Sequence, residues 1–100
     1  MSADEIVTQA AQLITGGDYA GAMGVFEGYI DSNPDDPAGY HGWAEAALFD
    51  IQENGNLDDK GNDRINEGQI NAYFRRAASM APDNADYNAA YANALVEFDR

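Results

Sequence analysis

The sequence contains no cysteine, which excludes disulfides and thiolate metal centres. It has one histidine, His41, and three serines. Without a second histidine or a thiol, a nucleophile–base pair is hard to assemble. No glycine-rich phosphate loop is present either, so no catalytic activity and no cofactor are expected. No apolar run approaches the roughly 18 residues of a membrane span. The opening Met1-Ser2-Ala3-Asp4-Glu5 lacks the basic and apolar regions of a signal peptide. These absences lead to the expectation of a soluble, cytoplasmic protein.

Positive charge is also scarce. Five Lys and Arg stand against 18 Asp and Glu, for a net charge of −13. Residues 1–59 hold twelve acids and no Lys or Arg, whereas residues 60–100 hold six acids and all five bases. A field of that sign repels phosphate, so neither nucleic acid nor an anionic membrane is an expected partner. It favours a basic partner. Two plainer readings are that the acids keep the surface soluble, and that twelve Asp with one Lys reflects adaptation to a high-salt cytoplasm.

What the chain does contain is helical periodicity. One hundred residues suffice for one domain with a modest core. Ser2-x-x-Glu5 is a capping box that opens a helix to about Thr15, where Gly16-Gly17 stops it. Asp18 caps a second helix to about Ser32, with Tyr19, Met23, Phe26 and Ile30 at helical spacing. Gly21, Gly24 and Gly28 weaken this helix, and are expected to let a neighbouring backbone come close. After Asn33-Pro34, Asp36 caps a third helix with Pro37 at its first position. Its buried stripe is read as Trp43, Ala44, Ala47, Leu48 and Ile51. A polar, turn-rich stretch follows. Asp63 is expected to cap a fourth helix to about Ala81, carrying Ile65, Ile70, Tyr73, Phe74, Ala77 and Ala78. Pro82-Asp83-Asn84 separates it from a fifth, with Tyr87, Tyr91, Ala94, Leu95 and Phe98 on one side. No alternating strand pattern competes, so the expected fold class is all-α with about five helices.

Internal similarity organises these helices. Aligning the breaks at Pro34 and Pro82, 48 residues apart, places Ala22 on Ile70, Phe26 on Phe74 and Ile30 on Ala78. Downstream, Asp35 falls on Asp83, Trp43 on Tyr91, Ala44 on Ala92 and Ala47 on Leu95. Ala44 lies 34 residues after Ala10. The second interval therefore exceeds the first by 14 residues, and the polar stretch at about 52–63 accommodates the excess.

With a 34-residue unit, the chain resembles the tetratricopeptide repeat (TPR) family. Gly17-Asp18-Tyr19 is similar to that family's inter-helix turn. Ala22, Phe26, Ile30 and Pro34 match its second helix and terminus, although Tyr29 stands where the family prefers a small residue. Trp43-Ala44 and Tyr91-Ala92 match the large-then-small pair of the first helix. The resemblance spans nearly the whole chain: repeat 1 at about 3–36, repeat 2 at about 37–84 with the insertion, and a C-terminal helix at about 84–98. The second repeat lacks the Gly-x-Tyr turn. The resemblance implies antiparallel helix hairpins in a right-handed superhelix, and an adaptor that holds another protein in a concave groove. By repeat alignment that groove carries Val7, Ala11 and Ile14, then His41, Glu45 and Leu48, then Ala89, Asn93 and Val96. Some members grip a C-terminal carboxylate with groove lysines and arginines; these positions offer neither. An apolar or basic segment of another protein suits them better.

Two alternatives come from the remaining features. The fifth helix has no following helix, and Ala85, Ala89, Ala92 and Val96 leave it an uncapped apolar side. This points to a homodimer contact, with Arg75 and Arg76 meeting the acidic half of a second copy, or to further chain. The insertion supplies oxygen ligands in Asp58, Asp59, Asn62 and Asp63, the basis of a calcium-responsive adaptor. It departs from the EF-hand pattern, since Lys60 takes a ligand place, Asp63 the glycine place and Gln69 the place of the bidentate Glu.

Overall fold

A computed structural model describes residues 2–98. Five helices follow one another: α1 (Ala3–Thr15), α2 (Tyr19–Ser32), α3 (Pro37–Asn54), α4 (Glu67–Met80) and α5 (Ala85–Phe98). Each successive pair packs together, and α1 also touches α3. The result is an all-α stack of helix hairpins.

Local chemistry sets the helix starts. The Ser2 hydroxyl accepts the Glu5 amide at 3.3 Å, Asp18 accepts from Gly21 at 2.9 Å, and Asp36 accepts from Ala38 at 3.0 Å, with Pro37 just inside α3. Asn84 does the same for Tyr87 at 3.0 Å. Each bond satisfies one of the amides that a helix N-terminus leaves without an intrahelical acceptor.

The start of α4 differs from the sequence expectation. Its cap is Asn66, whose Oδ1 accepts the Gln69 amide at 3.0 Å. Asp63 is instead bridged to Leu57. The cause is Asn56. Its side chain donates to the Ile65 carbonyl at 2.9 Å and accepts the Ile65 amide at 2.8 Å, so 63–65 are held out of a helix. The insertion is thus a small hairpin at 55–66 rather than at about 52–63, because α3 continues to Asn54 and ends at Gly55 (φ +76°).

The core joins Ile6 and Ala10 of α1, Ala22, Phe26 and Tyr29 of α2, Trp43, Ala44, Ala46 and Ala47 of α3, Ile70 and Phe74 of α4, and Ala94 of α5. Leu48 and Ile51 are only partly buried against it. On α5, Tyr87, Tyr91 and Phe98 are half-buried, while Leu95 is exposed. Aromatic edges lock α3 to α4. Tyr73 meets Tyr40 at 5.2 Å and Trp43 at 5.0 Å between ring centres, both edge-to-face.

The glycines of α2 do not have the role the sequence implied. A Cβ at Gly24 or Gly28 would meet nothing within 4 Å, and one at Gly21 would meet only the capping side chain of Asp18. Close approach runs through α3 instead. A Cβ at Gly42 would lie 2.2 Å from the Phe26 ring, and one at Gly39 would lie 2.8 Å from Ile30 and 3.2 Å from Tyr29. Gly39 also explains how Tyr29 occupies a position where a small residue was expected: the missing volume is on the opposite helix. The Tyr29 hydroxyl donates to Asp36 Oδ2, and this bond to a carboxylate, with burial, pushes the Tyr29 pKa up to about 12.

Gly24 and Gly28 give a stability prediction. Both are exposed in a helix interior. Gly24→Ala and Gly28→Ala should each stabilise the fold by about 1 kcal/mol, raising the melting temperature by about 4–8 °C apiece. Thermal melts followed by circular dichroism check this. No gain would mean that something packs against these glycines.

Candidate functional site

The positions assigned to a groove lie on α1, α3 and α5, the first helix of each hairpin and the final helix. These helices adjoin in that order. α1 touches α3, and α3 meets α5 where His41 and Tyr87 stack with ring centres 4.5 Å apart.

The nine positions are not equally available. On α1, Val7 is 48% exposed, Ala11 is exposed and Ile14 is partly buried. Val7 and Ala11, with Thr8, Gln12 and Thr15, line an open depression. On α3, Leu48 is partly buried and the Glu45 side chain is half-exposed. On α5, Ala89 and Asn93 are exposed and Val96 is 79% exposed. His41 differs from its expected part as a polar point of the groove. Its side chain is only 17% exposed, wedged between Tyr87 and Phe74, with ring centres 5.7 Å apart in the second contact. Its Nε2 lies 3.3 Å from Glu45 Oε2, and its Nδ1 is buried with no hydrogen-bond partner among the described residues. His41 is a joint between helices more than a surface group.

The exposed large apolar side chains show a pattern that residue spacing did not reveal. Those on helices, among the described residues, are Val7 on α1, Phe49 on α3, and Leu95 and Val96 on α5. α2 and α4 contribute none. Phe49 was missed by the sequence analysis. It follows Leu48 directly, and its neighbour's partial burial masks its own exposure.

Among the five helices only α4 carries Lys or Arg, namely Arg75 and Arg76, both exposed. The Arg76 guanidinium sits 4.7 Å above the Tyr40 ring. Partial burial, and then the charges of Asp36, Asp86 and Glu45, raise the pKa of Tyr87 in α5.

The insertion residues Asp58, Asp59, Asn62 and Asp63 are all exposed. They do not form a ligand cage. Asp58 Oδ1 accepts the Lys60 amide at 2.8 Å and the Asn62 amide at 2.9 Å, folding the turn around itself. Asp63 lies in the bridge to Leu57. Among the described residues, no group of three or more His, Asp or Glu is placed to hold a metal ion. Among the described residues, too, no helix is long and apolar enough to cross a membrane.

No protein-family model, curated protein or solved structure matches this chain.

Proposed function

We propose that this chain is a protein-interaction module of the tetratricopeptide kind, in which the exposed faces of α1, α3 and α5 hold a segment of another protein. The observation that carries this reading is that, of the five exposed large apolar side chains among the described residues, Val7, Phe49, Leu95 and Val96 lie on those three helices, the fifth being Leu57 of the insertion hairpin. Single exposed apolar residues need no explanation, but a set concentrated on adjoining helices is what a contact surface would present. The absence of Lys and Arg from the same helices argues against grip on a C-terminal carboxylate. It favours an apolar or basic segment, and disfavours nucleic acid and anionic membrane. The action would be that of an adaptor rather than an enzyme.

Affinity capture from the source cell tests this, using the chain beside a Val7→Asp, Val96→Asp variant. Both sites are exposed, so the variant should keep the wild-type helical signal. A partner held by wild type and lost by the variant is expected. The same proteins held by both would remove the groove reading.

A second reading rests on α5. Ala85, Ala89, Ala92, Leu95 and Val96 are all exposed there, an uncovered apolar side against which a second copy of the chain would pack. Sedimentation distinguishes the readings, since self-association gives a mass that rises with protein concentration.

A further inference from the structure

We infer that ionic strength controls the seating of α5. At low salt the acidic turn between α2 and α3 repels the acidic turn between α4 and α5 and loosens the last helix; screening at high salt seats it.

α5 is the least anchored of the five helices. Ala94 is its one buried residue. It packs along α4 and reaches α3 where Tyr87 stacks on His41. A helix of 14 residues is marginal in water without such packing. Few buried contacts also make a segment open locally at a lower free-energy cost than the core.

Like charges face each other where that anchoring is thin. The α2–α3 and α4–α5 turns share one end of the stack, because His41, early in α3, meets Tyr87, early in α5. Asp31, Asp35 and Asp36 flank the first turn and Asp83 and Asp86 the second, and neither 31–41 nor 81–87 contains Lys or Arg. His41 itself faces Glu45 at 3.3 Å. From α4 come Arg75 and Arg76, two cations against the five Asp. Arg76 stands over the Tyr40 ring, and neither arginine forms an ion pair among the described residues. Asp31, Asp35, Asp83 and Asp86 are exposed, so dissolved ions screen them.

The range of that screening sets the effect. At 0.01 M salt it is about 30 Å, comparable with the 38 × 27 × 21 Å extents of the molecule. The two turns then repel, and the rest of a chain of net charge −13 adds to the repulsion. At 1 M the range is about 3 Å, and charges that are not in contact cease to act. Ala89, Asn93 and Val96 belong to α5, so salt would also complete the groove. That consequence rests on the groove reading above, whereas the seating of α5 does not.

Amide hydrogen exchange of the isotope-labelled chain in 0.01, 0.15 and 1 M KCl tests the proposal. Protection of the α5 amides should rise about tenfold from the lowest salt to the highest, with α3 changing much less. An Asp31→Asn, Asp35→Asn variant leaves α5 itself untouched and should recover most of that protection at 0.01 M. An Asp58→Asn, Asp59→Asn variant removes the same charge from the insertion hairpin and should stay close to wild type. The proposal is overturned if α5 protection does not follow salt, if all five helices lose protection together, or if the two variants behave alike. Protection that follows salt as expected, with no partner captured even in 1 M KCl, would support the proposal and remove the groove reading.

Discussion

Replacing Arg64 by alanine should cost about 2–3 kcal/mol of stability and lower the melting temperature by about 10–20 °C. The reason lies in Asp50, an acid near the end of α3 that is only 6% exposed. A carboxylate removed from water must be compensated by donors. Arg64 Nη2 reaches Asp50 Oδ1 at 2.9 Å, and Asn54 Nδ2 reaches the same oxygen at 3.0 Å. The other end of the guanidinium donates to the Gly55 carbonyl at the terminus of α3, where a positive charge is also favoured by the helix dipole. Alanine at 64 leaves a buried charge short of a partner and a helix end short of a cap. The side chain of Arg64 is 32% exposed, so water recovers part of the loss, and the figure stays below that for a fully buried pair. Arg64→Lys should recover only part, because an ammonium cannot reproduce the planar fork that serves both acceptors. A thermal melt of Arg64→Ala that overlays the wild type would place this pair among surface pairs of little consequence.

Gly42→Ala should be nearly as damaging, at about 2 kcal/mol. The added methyl would lie 2.2 Å from one ring carbon of Phe26 and 2.3 Å from the next, well inside any tolerable contact. Phe26 is 3% exposed within the core, so its ring has nowhere to move. The gain of about 1 kcal/mol that alanine brings to a helix interior offsets only part of the clash. The second-site test is Phe26→Leu, which removes the far edge of the ring. Gly42→Ala with Phe26→Leu should be more stable than the sum of the two single changes predicts, the sign of direct coupling. Additive effects in chemical denaturation would show that α2 and α3 do not meet at this point.

These two sites mark where the sequence was legible and where it was not. Helix existence was plain, because Ser2, Asp18 and Asp36 stand at N-caps ahead of periodic apolar residues, and local signals of this kind act within four residues. The start of α4 was not plain. Asp63 and Asn66 are both good capping residues, and the choice between them is made by Asn56, seven and ten residues away, which clamps Ile65. Glycine was legible as a feature but not in its role. Gly24 and Gly28 form a spaced pair that resembles a packing stripe, yet they face open space, while Gly39 and Gly42 admit Tyr29, Ile30 and Phe26. Nothing in spacing alone tells which side of a helix its neighbour takes. The candidate groove was legible as positions on three helices. The partial burial of His41 was not, since the stack that produces it joins residues 46 apart in sequence, His41 and Tyr87. The exposure of Phe49 was hidden for a related reason, since a periodic count gives Leu48 and Phe49 nearly the same standing.

The most direct test of the central claim is site-specific photocrosslinking in the source cell. A benzophenone side chain is placed in turn at Val7 and Val96, on the proposed docking helices, and at Ala20 and Ser79, exposed positions of α2 and α4. The account predicts that one protein other than the chain itself crosslinks from Val7 and Val96, and not from Ala20 or Ser79. A partner captured only from Ala20 or Ser79, or adducts that contain only a second copy of the chain, would contradict it.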